Sequence, residues 1–187
     1  MSPVDVKSPP ADARSGCPIN AAVEALGDQW SFLVLRDIIF GDSRYFRELL
    51  TRSIEGIASN VLADRLQRLV AAGILTRADG ARGQRLRYSL TEAGIQTLPI
   101  IYALGNWGLD WRSGSPELRV RQELMRAAGP EFVDEFMAEL RARHLGAPSV
   151  PTRDGRTVLE RLTDSYETTA AAPARVGHRP SISTAAP

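Results

Sequence analysis

The chain has 187 residues, 23 basic and 22 acidic side chains, a formal net charge of +1 and 43% hydrophobic residues. This balance indicates one globular domain with an extension or tails, and it excludes a polycation that binds nucleic acid over its whole surface. One cysteine and the lack of a long apolar run argue against an internal disulfide, a signal peptide and a membrane span. A cytoplasmic protein is therefore expected.

The first third of the chain is predicted to form an arm and three helices. Residues 1–16 contain three prolines and few apolar side chains, which is typical of a flexible arm. Apolar spacing predicts helices over Pro18–Leu26, Trp30–Phe40 and Tyr45–Leu50. Gly41-Asp42-Ser43 is expected to stop the second helix and to supply cap residues for the third.

The central segment is predicted to be a helix followed at once by a small hairpin. Apolar residues recur at helical spacing over Ala58–Ala72, and Gly73 ends that helix as a left-handed cap. Strands are predicted at Ile74–Arg77 and Arg85–Leu90, around a turn at Asp79–Gln84. This order is the layout of a winged helix-turn-helix, in which the helix enters the major groove and the hairpin contacts the flanking backbone.

The remaining chain is predicted to be helical and then disordered. Thr91 is expected to cap one long helix that runs to about Trp111 with a kink at Pro99. Two amphipathic helices follow, with one marginal helix near Val158 and a disordered end from Thr168 to Pro187. The helices span Glu117–Ala128 and Pro130–Leu145, and the buried stripe of the second is Phe132, Val133, Phe136, Met137 and Leu140.

The predicted fold is therefore mainly α with a small β-hairpin, a winged helix-turn-helix with a C-terminal helical extension. It divides into four regions: a flexible arm at 1–16, a DNA-binding and dimerisation domain at 17–112, the extension at 113–147 and a mostly disordered tail at 148–187.

The face of the Ala58–Ala72 helix opposite its leucines carries residues that suit DNA. Asn and Gln pair with adenine edges, a carboxylate accepts from cytosine, and a hydroxyl near the helix start suits a phosphate. The predicted contacts on this helix are Ser59, Asn60, Ala63, Asp64, Gln67 and Arg68. Taken alone, the helix is better explained as a solvated face, and Asp64 would repel phosphates.

The hairpin changes this balance because it is strongly basic. Between Ile74 and Leu90 four arginines face a single acidic residue, Asp79, and glycines in the turn allow close approach to a backbone. A helix followed directly by a basic wing favours DNA binding. The predicted wing contacts are Arg82, Arg85 and Arg87.

Other side chains are assigned structural roles. Arg65 is expected to brace the fold through a carboxylate, and Trp30 to lie in the core. The aromatic residues Tyr102, Trp107 and Trp111 either line a pocket or form a dimer interface, and the interface is favoured. Two late histidines and one cysteine do not make a zinc site, and phosphate-binding, dinucleotide and nucleophile motifs are not found. No cofactor and no enzymatic activity are expected.

Six short motifs occur in the order found in one family, the HxlR-type bacterial transcriptional regulators, which the chain resembles from about Cys17 to Trp111. They are Cys17-Pro18, Gly27-Asp28-Gln29-Trp30 leading into Leu33-Val34-Leu35-Arg36-Asp37, Tyr45-Phe46-Arg47-Glu48-Leu49, Gly56-Ile57-Ala58-Ser59, Leu62-Ala63-Asp64-Arg65-Leu66-Gln67-Arg68-Leu69 and Tyr88-Ser89-Leu90-Thr91-Glu92-Ala93-Gly94.

The resemblance implies a homodimer that binds double-stranded DNA at a palindromic operator, with the first and post-wing helices at the dimer interface. Two departures prevent transfer of a target sequence. Asn60 stands where a basic residue often follows the serine, and Asp79–Gln84 replaces a proline-containing wing tip.

Three alternatives stay open at this point. Some members of the family resemble thiol-based sensors, and a helix N-terminus favours the thiolate form, so Cys17 is a candidate redox residue; a purely structural cysteine is weighed slightly higher. A winged-helix protein-interaction module without DNA binding is the rival function, favoured weakly by the near-zero net charge. A small-molecule sensor with a pocket of post-wing aromatic residues is the second rival.

Overall fold

The computed structural model describes residues 16–78, 85–149 and 154–172. Four segments lie outside the described residues. They are residues 1–15 of the predicted arm, the wing tip 79–84 with Arg82, and the segments 150–153 and 173–187. The elements in chain order are α1 Pro18–Leu26, α2 Gln29–Gly41, α3 Phe46–Arg52, α4 Ser59–Ala71, β1 Leu75–Ala78, β2 Arg87–Leu90, α5 Glu92–Ile95, α6 Leu98–Trp111, α7 Pro116–Ala128, α8 Pro130–Leu145 and α9 Val158–Ala171.

The first four helices confirm the sequence pattern, with glycine and acidic residues at their ends. Gly27 closes α1 with a left-handed backbone, and the Asp28 carboxylate accepts hydrogen bonds from the backbone N–H groups of Trp30 and Ser31 at the start of α2. The expected cap for α3 is wrong. Its N-cap is Tyr45, without a side-chain hydrogen bond, because Asp42 takes a left-handed backbone that ends α2 instead.

The two strands form the predicted antiparallel hairpin. Leu75 pairs with Leu90 and Ala78 with Arg87, and Tyr45 adds one further bridge to Arg87 on the other side of β2. Gly73 has the predicted left-handed backbone between α4 and β1, with φ at 71°. A winged helix-turn-helix is thus present, and α2, α3 and α4 form its helical part.

The long kinked helix expected after the wing is wrong, because the chain makes two helices there. Thr91 caps α5 by accepting from the N–H of Gly94 at 3.0 Å, and α5 ends at Ile95. Pro99 lies in the first turn of α6, where its missing N–H needs no partner. A continuous helix would have put the proline ring against the carbonyl of Ile95.

The predicted extension helices are confirmed, and α9, which follows them, extends further than expected. All five residues of the predicted α8 stripe are buried, and Phe136 packs against Phe40 of α2 with ring centroids 5.5 Å apart. The structure differs from the expected tail, because α9 continues to Ala171. Thr157 and Glu160 form a capping box at its start, and Val158 and Leu162 are buried.

One hydrophobic core joins the winged part to the C-terminal helices. Its buried side chains run from Leu26 in α1 to Leu162 in α9, without a break at the end of α6. Within the described parts of the chain, every helix is too short or too polar to cross a lipid bilayer.

Candidate nucleic-acid interface

The face of α4 predicted to contact DNA is exposed. Its opposite side is fixed in the core, because Leu62, Leu66 and Leu69 are at most 1% exposed. All six predicted residues on this helix have exposed side chains and therefore lie together on one solvent-facing surface: Ser59, Asn60, Ala63, Asp64, Gln67 and Arg68.

The first turn of α4 leaves its backbone donors available. Ala58 is the N-cap residue, and no side chain caps the helix, so the expected Ser59 hydroxyl lies on the first helical residue. Unpaired N–H groups at a helix start attract anions such as phosphate. This end of α4 is therefore suited to a DNA backbone contact.

Asp64 is less of an obstacle to DNA than its charge indicates. Arg68 makes an ion pair with its carboxylate at 3.0 Å, and Arg65 contacts the same oxygen. Arg65 also places its Nε 2.7 Å from Asp28, the residue that caps α2. The predicted bracing role of Arg65 is thereby confirmed, and the two arginines balance the negative charges of Asp64 and Asp28.

The described part of the wing presents three exposed arginines, Arg77 on β1 and the predicted contacts Arg85 and Arg87. Among residues 16–78, 85–149 and 154–172, neither Arg85 nor Arg87 has a carboxylate within 4 Å, in contrast to Arg68. The third predicted wing residue, Arg82, lies in the segment 79–84, which the structure does not describe. Arg85 and Arg87 are therefore the described wing cations best placed to contact phosphates.

A buried arginine that the sequence did not single out anchors the wing. Arg44 is 4% exposed, and its guanidinium donates to the carbonyl of Tyr88 at 3.2 Å, to the carbonyl of Arg143 at 3.0 Å and to the Ser89 hydroxyl. Burial, followed by the nearby charge of Arg87, lowers the pKa of Arg44. Local sequence patterns do not predict the contact between Arg44 and the Arg143 carbonyl, because the two residues are 99 positions apart.

Helix α8 also contacts the wing directly. His144 accepts a hydrogen bond on Nδ1 from the backbone N–H of Leu90 at 3.1 Å, and Arg141 forms a two-oxygen ion pair with Glu92 in α5. Burial is the main cause that lowers the pKa of His144 to about 3, assisted by the positive charges of Arg44, Arg87 and Arg143. The imidazole is therefore neutral at physiological pH.

We expect acid to destabilise the fold through His144. In the unfolded chain the imidazole of His144 binds a proton below pH 6.5, its ordinary pKa, whereas in the folded chain it does so only near pH 3. The free energy of unfolding is therefore highest above pH 6.5 and decreases as the pH falls towards 3. Because the ring is only partly buried, we expect about 1–2 kcal/mol to be lost between pH 7 and 5. Urea unfolding measures this loss, and His144→Gln, which keeps an acceptor but cannot titrate, should show a shallower dependence. Equal pH profiles for both chains would contradict the assignment.

An apolar stripe lies exposed on α6. Ile100, Leu104, Trp107 and Trp111 are spaced for one helix face, and each is at least 42% exposed. On α1, Ile19 and Val23 are also exposed, although they belong to its apolar pattern. Tyr102, Trp107 and Trp111, for which a pocket is the alternative interpretation, are not among the residues that line the cleft beside α6, whereas Leu104 of the stripe is. The exposed side chains instead favour an interface with another protein surface.

Cys17 lies at the start of α1. It is exposed and is the N-cap residue, and its carbonyl accepts from the N–H of Ala21 at 3.0 Å. The position agrees with the expected helix start, whereas the redox role stays a prediction.

Comparison with known proteins places these features in a family context. The sequence model of the HxlR-like helix-turn-helix family matches residues 25–116, from the end of α1 to the start of α7. Helices α8 and α9 and nearly all of α7 lie beyond the matched region.

Relatives and solved structures match about half of the chain. An uncharacterized HTH-type transcriptional regulator of Synechocystis is 34% identical over 96 residues, which are 51% of this chain and 70% of the relative. One of Mycobacterium tuberculosis is 33% identical over 106 residues, which are 55% of this chain and 65%, less than two thirds, of the relative. The redox regulator HypR in its oxidized form is 28% identical, with a TM-score of 0.46, over 52% of this chain and 100% of that structure.

Proposed function

Because the chain belongs to the HxlR-like helix-turn-helix family of transcriptional regulators, we propose that it binds DNA as a homodimer at a palindromic operator. The observation that carries the proposal is the exposure of both the α4 face and the wing arginines Arg85 and Arg87, which have no carboxylate within 4 Å among the described residues. Helix α4 enters the major groove, and the wing contacts the flanking backbone.

Contacts divide by chemistry within this proposal. Ser59 and the free N–H groups at the start of α4 bind a phosphate, as do the wing arginines including Arg82. Asn60, Ala63, Asp64 and Gln67 contact base edges, where amides and carboxylates distinguish bases. Arg68, paired with Asp64, positions that carboxylate.

The homodimer is supported by the stripe on α6 and the apolar residues of α1. An exposed run of two tryptophans and two aliphatic side chains needs cover in water. A two-fold axis beside α6 and α1 covers both surfaces with their own copies. Such a dimer sets two α4 helices in successive major grooves, about 34–36 Å apart.

The test is fluorescence anisotropy with genomic fragments from around the gene, across a salt series. We expect saturable, palindrome-selective binding, weakened at low salt by Arg85→Ala with Arg87→Ala. Each arginine neutralises about one phosphate, so four lost contacts per dimer reduce the slope of log K against log salt by about 3–4. The control carries Arg126→Ala with Arg156→Ala, an equal charge loss outside the wing and α4.

The outcomes separate two functions. Absence of selective binding at every salt concentration would sink the DNA-binding proposal and leave a protein-interaction module as the better account. An unchanged salt slope in the wing variant would place the phosphate contacts elsewhere. The same titration with reduced and mildly oxidised protein tests Cys17 as a sensor, with Cys17→Ser as the control.

A further inference from the structure

A cleft of about 980 Å³ lies at the surface between the winged part and the C-terminal helices, which line it together. Its walls come from α2, the turn between α3 and α4, α6, α7 and Tyr166 of α9. Small-molecule sites occupy about 300–1,000 Å³, so the cleft accommodates an organic ligand. Because α9 and most of α7 lie beyond residue 116, part of this site lies outside the family match.

The surface of the cleft is mainly apolar. Phe32 and Phe40 of α2 contribute aromatic surface, and Ile101 and Leu104 of α6 with Leu118 of α7 contribute aliphatic surface. Leu104 and Leu118 are about half exposed, so their side chains are not consumed by the core. An apolar body would bury this surface and gain the corresponding hydrophobic free energy.

A half-buried cation, Arg121, lies in this mainly apolar wall. Arg121 lies with its guanidinium carbon 4.6 Å from the ring centre of Tyr166, and its Nε donates to the carbonyl of Leu162. Among the residues that the structure describes, its two terminal nitrogens have no hydrogen-bond acceptor, and no carboxylate lies within 4 Å. Burial lowers the pKa of Arg121, which reflects an incompletely compensated charge.

The remaining charges around the cleft also favour an anion. Five arginines line it against three carboxylates, and two of those carboxylates, Asp37 and Glu55, are already paired with Arg36. The pairs between Arg36 and Glu55 are 2.6 and 2.7 Å long, so this arginine is occupied. Arg119 is paired with Glu123, so among the described residues Arg52, Arg112 and Arg121 are the lining arginines without a carboxylate within 4 Å.

We propose that this cleft binds a small amphipathic anion, an aromatic or aliphatic carboxylate whose acid group pairs with Arg121 and whose apolar body lies along α2 and α6. The Tyr166 ring and a backbone carbonyl fix the guanidinium of Arg121, and its two terminal nitrogens can both donate hydrogen bonds to one carboxylate. Such a pair gives the orientation, and the apolar wall gives most of the affinity.

The position of the cleft links the ligand to α4. Ile54 and Glu55 form its edge on the turn that precedes α4, and Arg36 joins that turn to α2. A bound anion contacts this turn and the C-terminal helices together, and so fixes α4 relative to α7 and α9. This regulatory consequence rests on the proposed DNA-binding function, whereas ligand binding does not.

The test uses the full chain and 8-anilinonaphthalene-1-sulfonate, an apolar fluorescent anion. We expect saturable binding of one probe per chain, displaced by decanoate and at least about tenfold less effectively by 1-decanol, which has the same chain length without charge. Arg121→Gln should weaken binding of the probe and of decanoate by about tenfold, the size expected for a lost charged hydrogen bond. Arg126→Gln, on the same helix but paired with Asp110, should leave it unchanged.

A second variant guards against a merely unfolded protein. Gly108 lines the cleft, and an added Cβ there meets no atom within 4 Å, so we expect the side chain of Gly108→Leu to extend into the cleft. It should block the probe while keeping or raising the melting temperature. Equal displacement by decanoate and decanol, or unchanged binding in both Arg121→Gln and Gly108→Leu, would overturn the proposal.

Two further measurements test whether a second copy of the chain or the chain's own C-terminal end occupies the cleft instead of a small ligand. If probe binding falls as protein concentration rises into the range of self-association, a second copy covers the cleft and the ligand proposal fails. A truncation before residue 173 that raises probe affinity more than tenfold would assign the cleft to the chain's own end. If the probe binds but decanoate does not change the DNA affinity, the ligand site stands and its regulatory role is rejected. If the unmodified protein shows no selective DNA binding at all, only the proposed DNA-binding function is rejected.

Discussion

Replacing Ile100 and Trp107 with glutamate is expected to convert the protein into a monomer and to lower its DNA affinity by a factor on the order of 100. Both side chains lie on the exposed face of α6, at 42% and 52% exposure, so the change removes apolar contact area and places like charges opposite each other in the dimer. Neither residue belongs to the core, and folding should be retained. Sedimentation velocity and anisotropy measure the two effects.

The control for this variant is Leu145→Glu at the end of α8. Leu145 is 47% exposed, much like the stripe residues, but lies on a different helix. It should leave both the sedimentation coefficient and DNA affinity within a factor of about two, since isolated exposed apolar residues carry little energy. If the α6 variant remains a dimer, the two-fold axis lies elsewhere, and if it is a monomer with unchanged affinity, dimerisation is not needed for DNA binding.

Gly94→Ala should strongly destabilise the fold. A Cβ on Gly94 would lie 2.3 Å from the carbonyl oxygen of Ile74 and 3.1 Å from a Leu90 methyl. The Ile74 carbonyl is held by the N–H and hydroxyl of Thr91 and cannot turn away freely. We expect a loss of about 2–3 kcal/mol, which lowers the melting temperature by roughly 5–10 °C.

The matched control is Gly108→Ala in α6, where an added Cβ meets no atom within 4 Å. Alanine is favoured over glycine inside a helix, so this variant should gain about 0.5–1 kcal/mol. Chemical unfolding of the two chains under the same conditions separates the steric effect from the general cost of changing glycine. A loss below 1 kcal/mol for Gly94→Ala would mean that α5 moves away from β1 easily.

The sequence predicted the winged part well because its signals are local. Leucines at helical spacing placed α4, and Gly73 marked its end. The basic hairpin was found for the same reason, since alternation from Arg85 to Leu90 and a glycine-rich turn are both short-range patterns. Asn60, Gln67 and the described wing arginines are exposed as expected, and their DNA contacts stay predictions.

The failures concern contacts between distant positions. Arg44 and His144 are typical surface residue types, and only the folded chain shows that they hold the wing. The polar sequence of α9 predicts only a marginal helix, although Thr157 and Glu160 form a local capping signal. Pro99 was recognised as a disruption, but the choice between a kink and a new helix depends on how Thr97 and Gly94 close the turn.

The sharing of one core by all the helices has a consequence for protein engineering. A chain shortened to its family-matched segment would not be a smaller copy of the same regulator. It would lose Phe136 from beside Phe40, the Arg143 carbonyl from beside Arg44 and the His144 acceptor from beside Leu90. Grafting this winged part onto another regulator therefore requires carrying α8 along with it, whereas exchanging the exposed face of α4 disturbs none of those contacts.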